Sequence, residues 1–527
     1  MTPSDAIRFN KLVAHRLGLL HKTVNSSFSR SLSGTKLTKY SISTESQDEL
    51  TTRPDATSTQ SSDYYEYQRV ANDSVNNFKA TWLNALTERK KQLKQGKVID
   101  SYVYNHIKST DIIDKTRGDS FAFITLPFKE NPIVADFYVN AAGRIRMGQL
   151  FQDLDSLAGK IAYKHTAPVE PMIVTASVDR IYLLKPIDLI ADYNILLSGS
   201  VIYTGRSSME ISITARAVKE EISGEITENT LPDGEIFLTA SFTFVARNPE
   251  THRSMAINRL LPLDEGQWMD FKRAESRMAA KKLKSINSSL EKNPPTNEES
   301  QIIHKLWGAS KELAGLRAKP SNIVPMKNTA VKSTMFMQPQ YRNRHSYMIF
   351  GGYLMRQTFE LAYCSAASFS HALPRFVSLD STTFKTSVPV GSILHMNATV
   401  VYTEHLHENE SKKEETVSVL HPLSDFQPTP LNELSLNKGD FLSKPGTLIQ
   451  VKVDTSVQEL ASDKLQQSGS FIFSFFVLRD KTEDGEGDIG YSTVLPETYS
   501  EMIEYTEARR RASETANYAK TIKQTTI

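Results

Sequence analysis

The sequence predicts an α+β protein made of two tandem copies of one unit, each a long central helix wrapped by a curved antiparallel sheet. Three observations carry this. The chain of 527 residues is 39% hydrophobic and 23% charged, with 24 Phe and 20 Tyr, the composition of a folded protein with a sizeable core. Short blocks recur in order along the chain: Ser177-Val178-Asp179 with Ser378-Leu379-Asp380, offset by 201, and Val201-Ile202-Tyr203-Thr204 with Val400-Val401-Tyr402-Thr403, offset by 199. Further on, Phe244-Val245-Ala246-Arg247-Asn248 matches Phe476-Val477-Leu478-Arg479-Asp480, offset by 232. Within each copy one helical pattern precedes several β-branched, aromatic runs.

The elements follow from the residues in order. Between Asp5 and Glu45 there is no acidic residue, whereas Arg8, Lys11, Arg16, Lys22, Arg30, Lys36 and Lys39 fall there among Ser and Thr. At about 100° per residue Arg8, Lys11, His15 and Lys22 gather opposite Phe9, Val13, Leu17, Leu20 and Val24, the pattern of a mitochondrial transit peptide over 1–45. Residues 46–100 read as a linker and helical segment. The first repeat domain spans 101–255, with its helix over about 147–164 and strands near 193–204, 208–218 and 236–247. Leu150, Phe151, Leu154, Leu157 and Ile161 make that helix apolar on several sides, so it must be buried. A helical linker, 256–325, contains the Lys-, Arg- and Ala-rich stretch from Trp268 to Leu290 and then Pro294-Pro295. The second repeat domain spans 326–505, with a helix over 351–371 and strands near 392–403, 447–458 and 469–479. The jump in offset from 199 to 232 places an insertion near 405–445, where Gln427-Pro428-Thr429-Pro430 breaks the strand pattern. Residues 506–527 read as a C-terminal tail.

Composition narrows the function. Sixty-two Lys+Arg against 60 Asp+Glu leave +2, which gives no support to nucleic-acid binding. The single cysteine, Cys364, excludes an intrachain disulfide and a cysteine metal cluster, and reads as a small buried core residue of an apolar helix. His405 and His407 sit in a polar stretch without further ligands, so no metal is expected. Every apolar run is interrupted by a charge before the roughly 18 residues that a membrane span needs. Arg509-Arg510-Arg511 read as a solvated helix face.

Ile349-Phe350-Gly351-Gly352-Tyr353-Leu354-Met355-Arg356, with Asn343-Arg344-His345 before it and Glu360-Leu361-Ala362-Tyr363 after it, resembles the double hot-dog acyl-CoA thioesterases, in particular the mitochondrial group related to acyl-coenzyme A thioesterase 9. Gly148 to Leu157, Thr204-Gly205-Arg206-Ser207-Ser208-Met209-Glu210 and Val494-Leu495-Pro496-Glu497-Thr498-Tyr499 are also similar to that family. The resemblance runs from about 100 to 510. It implies two tandem hot-dog domains, hydrolysis of acyl-CoA to free acid and CoA in the mitochondrial matrix, no cofactor beyond the CoA of the substrate, and a homo-oligomer such as a trimer of double hot-dogs.

Thioester hydrolysis needs an activated water or an attacking carboxylate, and donors for the oxyanion. Gly351 and Gly352 open a helix whose unpaired N–H groups can polarise a carbonyl, or simply make a tight turn. Glu360, eight residues beyond Gly352, is one candidate acid, with an ordinary ion pair to Arg356 as the other reading. Asp155, seven beyond Gly148, is the corresponding acid of the first half, with Asp153 competing. By resemblance Asn343 or His345 holds the water or the carbonyl at a site completed by the acid of the other half. Gly205, Arg206, Ser207 and Ser208 follow a strand and offer donors for CoA phosphates, or form a hairpin turn. The second half has Glu404 in this stretch, so the halves are expected to function asymmetrically. A hot-dog enoyl-CoA hydratase or dehydratase, which would need an Asp/His pair absent in obvious form, and a non-catalytic acyl-CoA-binding protein are the alternatives.

Overall fold

The structure, a computed structural model, describes residues 111–526 apart from 170, 223, 225, 288–289, 291–292, 318–320, 344–347, 381, 407–445, 461–463 and 479–491. The transit-peptide and 46–100 assignments, His345, His407 and nearly all of the expected insertion lie outside the described residues.

In chain order the first half contains β1 (Asp114–Lys115), α1 (Arg117–Ser120), β2 (Ala122–Leu126), α2 (Pro132–Phe137), α3 (Met147–Thr166), β3 (Met172–Leu183), β4 (Asn194–Thr204), β5 (Ser208–Val218), β6 (Glu235–Arg247) and β7 (Arg259–Leu260). Helices α4 (Glu265–Asn287) and α5 (Asn297–Gly315) follow. The second half contains β8 (Ile323–Pro325), β9 (Val331–Phe336), α6 (Gly351–Ser370), β10 (Arg375–Leu379), β11 (Thr382–Phe384), β12 (Ile393–Leu406), β13 (Gly446–Gln458), β14 (Leu465–Leu478), β15 (Thr493–Leu495) and α7 (Tyr499–Thr526).

One sheet runs β2-β4-β5-β6-β3-β10-β14-β13-β12-β9, with β11 pairing both β14 and β3. It is two copies of one five-strand order joined back to back. The seam is antiparallel, with Ser378 opposite Tyr182 and Leu379 opposite Ile181. Each half-sheet wraps its own helix. Leu154, Leu157, Ala158, Ile161 and Ala162 of α3 and Met355, Ala362 and Ala366 of α6 are fully buried, because a helix apolar all round must be covered on every side. Pro168 follows α3 closely and His371 ends α6 in the left-handed region at φ 53°, each stopping its helix.

Strand pairing corrects the third repeat match. Thr175 pairs with Phe244 and Phe376 pairs with Phe475, so Phe244 corresponds to Phe475 and the offset is 231, not 232. A shift of one residue in a strand exchanges the inner face for the outer. The insertion also changes size and place. Thr403 pairs with Ile449, 46 positions on, where Thr204 pairs with Met209, 5 positions on. β12 continues to Leu406, and His405 belongs to it, its ring bonded to Thr447 Oγ1 at 3.0 Å and Thr493 Oγ1 at 2.8 Å.

The two segments read as linker and tail are matched outer helices. α4 lies on the outer face of the first half-sheet through Phe271 against Tyr203, with ring centroids 4.9 Å apart, and Arg277 paired with Glu210 at 2.7 Å. α7 covers the second through Tyr505 against Tyr402, 5.0 Å apart. Lys281 of α4 pairs with Asp179, and Thr515 of α7 donates to its repeat counterpart Asp380 at 2.7 Å. The arginines expected in solvent are engaged: Arg510 holds Glu299 of α5 through two bonds of 2.5 and 2.6 Å, and Arg509 reaches Glu298 at 3.4 Å. α5 itself opens on Thr296, whose side chain and that of Glu299 cap each other's backbone N–H. Cys364 is exposed, contrary to the expectation of a buried thiol.

Candidate active site

The two central helices pack against each other at glycines. A Cβ on Gly352 would lie 3.0 Å from the Cα and carbonyl oxygen of Gln152, and one on Gly148 would lie 3.0 Å from Glu360 Oε1 and 3.2 Å from Phe359 Cδ1. Only glycine lets the N-terminus of each helix approach the middle of the other so closely. Each crossing therefore brings residues of both halves together.

At the first crossing stands Asp155. Its carboxylate is buried, with side-chain bonds from both sides: Gly352 N–H donates to Oδ2 at 2.6 Å and Thr175 Oγ1 donates to Oδ1 at 3.1 Å. Burial pushes the carboxyl up from 3.8 to about 7, against the opposing pull of those two donors. A Cβ on Gly351 would sit 3.1 Å from Asp155 Oδ2, so the glycine keeps the space before the carboxylate open. Gly351 is the first residue of a 20-residue helix, where N–H groups have no partner within the helix and the dipole is positive. The arrangement combines a proton acceptor tuned near neutrality with donors at a helix end.

Asn343 lies on the turn that leads into α6, its N–H bonded to Met348 O at 2.8 Å, and Phe350 N–H closes the turn on Tyr341 O at 2.9 Å. The same turn precedes α3, where Asn140 N–H meets Arg144 O at 2.8 Å and Arg146 N–H meets Tyr138 O at 2.6 Å. The second-half turn is one residue longer. Asn343 thus belongs to the half opposite Asp155.

Glu360 is not the counterpart of Asp155. Counting from the matched helix starts, Met147 and Gly351, the residue that corresponds to Asp155 is Phe359, and Phe376 corresponds to Thr175. Glu360 lies one position on, about 100° around the helix, and pairs with Arg146 at 2.8 Å. Its supposed partner Arg356 instead reaches Gln152 at 3.3 Å. The second crossing is filled with rings: Phe359 meets Phe151 at 5.2 Å, Phe376 at 5.8 Å and Phe473 at 5.6 Å. Asp153, the competing acid of the first half, is buried against Tyr138 Oη at 2.5 Å.

Gly205, Arg206, Ser207 and Ser208 form the β4–β5 hairpin turn: Gly205 N–H bonds Ser208 O at 2.8 Å, and Arg206, exposed, holds Ile257 N–H on its carbonyl at 3.0 Å. The neighbouring Asn258 contacts His165 at the C-terminal end of α3, ten residues or about 15 Å along the axis from Asp155. The turn is therefore apart from the carboxylate. A cavity of about 420 Å³ opens on the β2 side of α3, lined by Lys160, Lys164, Thr116, Asn229 and Gln267 among others, and does not include Asp155. Among the described residues no cluster of His, Cys, Asp and Glu could hold a metal ion, and no helix is long and apolar enough to cross a membrane.

Thr175, Arg146 and the phenylalanine pair escaped the sequence reading. Laying Thr175 over Phe376 two residues before the repeated Ser-hydrophobic-Asp block would have exposed the asymmetry.

No family model matches the sequence. The chain is 33% identical over 303 residues to acyl-coenzyme A thioesterase 2, chloroplastic, of Humulus lupulus, covering 56% of this chain and 66% of that protein, just under two thirds of its length. It is 30% identical over 325 residues to acyl-coenzyme A thioesterase 9, mitochondrial, of Homo sapiens, covering 60% of this chain and 70% of that protein. Among solved structures, an acyl-CoA hydrolase from Bacillus cereus aligns at 21% identity and a TM-score of 0.27, over 35% of this chain and 99% of that one.

Proposed function

Because the chain belongs to the acyl-CoA thioesterase family, we propose that it hydrolyses acyl-CoA to a free fatty acid and CoA at one site per chain, the crossing that holds Asp155. The observation that carries this is a buried carboxylate held at about 7 against the glycine start of the opposite helix. In this reading Asp155 takes the proton of an attacking water, and an N–H of the Gly351 turn receives the developing oxyanion. Thr175 and Gly352 aim the two carboxylate oxygens. Asn343, from the opposite half, orients the water or the carbonyl. No cofactor takes part in this reading, since CoA enters as part of the substrate and leaves as the free thiol. The exposed Arg206 turn is the proposed contact for CoA phosphates, a pantetheine arm away from the thioester.

The test is thiol release from a panel of acyl-CoAs by the full chain and by Asp155→Asn. Release that falls at least about a hundredfold in the variant supports the proposal; undiminished release by Asp155→Asn overturns it. A single turnover in ¹⁸O water separates the two roles of the acid. Label appearing in the product in that first turnover supports water activation, and label entering the Asp155 carboxylate shows direct attack.

We also place the protein in the mitochondrial matrix, as a homo-oligomer. The acid-free basic stretch before Glu45 supports the location, as does the mitochondrial designation of the human relative. A reporter fused to residues 1–50 that stays in the cytosol would remove that part of the reading, and sedimentation of the purified protein as a single chain would remove the oligomer.

A further inference from the structure

The mouth of the ring-filled crossing is lined with cations where the corresponding positions at the Asp155 crossing carry none. The turn before α3 supplies Arg144 and Arg146, whose counterparts are Met348 and Phe350. β10 supplies Arg375 in place of Val174, and α6 supplies Glu360 and Tyr363 in place of Ser156 and Gly159. No Cβ neighbour lies within 4 Å of Gly159, so the side in which Tyr363 stands is open in the first half.

These groups form one constellation. Arg375 Nη1 and Arg144 Nε converge on Asp188 Oδ1, at 3.2 and 3.7 Å, and Arg146 pairs with Glu360. Tyr363 lies within the electrostatic reach of Arg144 and Glu360, and its hydroxyl is buried without a hydrogen-bond partner. Arg375 Nε is buried and unpartnered too. Three guanidinium groups face two carboxylates, beside the positive end of a 20-residue helix. Asp188 is the replaceable member, because 61% of its side chain is exposed while those of Arg375 and Arg144 are 18% and 26% exposed. An exposed carboxylate holds its partners weakly.

We propose that this mouth binds a diphosphate-class oxyanion, which displaces Asp188 from Arg144 and Arg375 and accepts the idle Tyr363 hydroxyl. Planar guanidinium forks from two different elements match a phosphate group, which accepts several bonds at once. The ring-filled pocket beneath excludes an acyl chain, so the ligand is recognised by its phosphates alone. The crossing that holds rings in place of a carboxylate thus carries a binding function of a different chemistry.

The probe is inorganic pyrophosphate, with free CoA as a second arm, titrated into the full chain at about 0.15 M salt while heat and melting temperature are followed. Wild type is expected to bind pyrophosphate saturably. Arg375→Gln should weaken it at least about tenfold and Tyr363→Phe several-fold. CoA that competes with pyrophosphate at this site shows that the phosphates can arrive on the coenzyme; CoA without effect shows that the site selects the free anion. Tyr363→Phe keeps the ring and its packing, so it decides the matter even if Arg375→Gln does not fold. The proposal is overturned by absence of saturable binding or by binding that survives both variants.

Discussion

Asp155 pays for its tuning in stability, and the direction can be measured. Its carboxyl stands at about 7 against 3.8, so the folded chain keeps the proton over a range in which the unfolded chain has lost it. The penalty is absent below about pH 4, grows up to about pH 7 and is complete above that. Asp155→Asn should therefore melt near wild type at pH 4 and above it at pH 8, by up to about 4 kcal/mol; differential scanning calorimetry at the two values checks this. In its proposed role as base Asp155 must be ionised, so kcat/KM should rise with pH through about 7. Removing the Thr175 donor raises the carboxyl further, so Thr175→Val should shift that pH profile upward and lower the rate at pH 7 about tenfold or less, with the circular dichroism unchanged. At this scale the sequence was half legible. The spacing from Gly148 points to Asp155, but Glu360, the acid at about the same depth beyond Gly352, is one position out of phase and so lies on another face of its helix. Phe359 carried no chemical signal of its own.

The two helix crossings differ in what a methyl group would strike. At Gly352 it meets the backbone of Gln152, which cannot move without shifting α3, whereas at Gly148 it meets the far end of Glu360 and one edge of Phe359. Gly352→Ala should cost about 1–3 kcal/mol and Gly148→Ala less, as read from urea unfolding midpoints. The outer helices give a second prediction. Glu299 is buried and its carboxyl lies below the ordinary range, first because Arg510 donates to it. Arg510→Gln should loosen α7 from α5, at a cost of about 1.5–3 kcal/mol, visible as faster amide exchange over Tyr499–Thr526. The central helices and most strands could be read from periodicity within a few residues. α4 and α7 could not be read as equivalents, because their kinship rests on a few contact residues, Phe271 with Tyr505 and Lys281 with Thr515, scattered among charges that solvent leaves free to vary.

For the whole molecule, one carboxylate crossing and one ring-filled crossing support the proposed single hydrolytic site per chain. A non-hydrolysable acyl-CoA analogue should bind with a stoichiometry near one per chain by calorimetry; a value near two would show that the ring cluster opens. Phe359→Ala should destabilise the fold by about 3–5 kcal/mol and leave that stoichiometry unchanged. The repeat was visible in the sequence because both sheets need the same strands. Its asymmetry was not, because a fold is satisfied as well by phenylalanine in a closed pocket as by a carboxylate in an open one.

The seam between β3 and β10 joins two half-sheets that are encoded separately. In a pair of identical subunits every substitution arrives twice, so a mutation that closes one crossing closes both and the activity is lost at once. Covalent linkage lifts that constraint: each crossing inherits its own changes, and Phe359 with Phe376 can reinforce the centre of the molecule while Asp155 and Thr175 keep the other crossing polar.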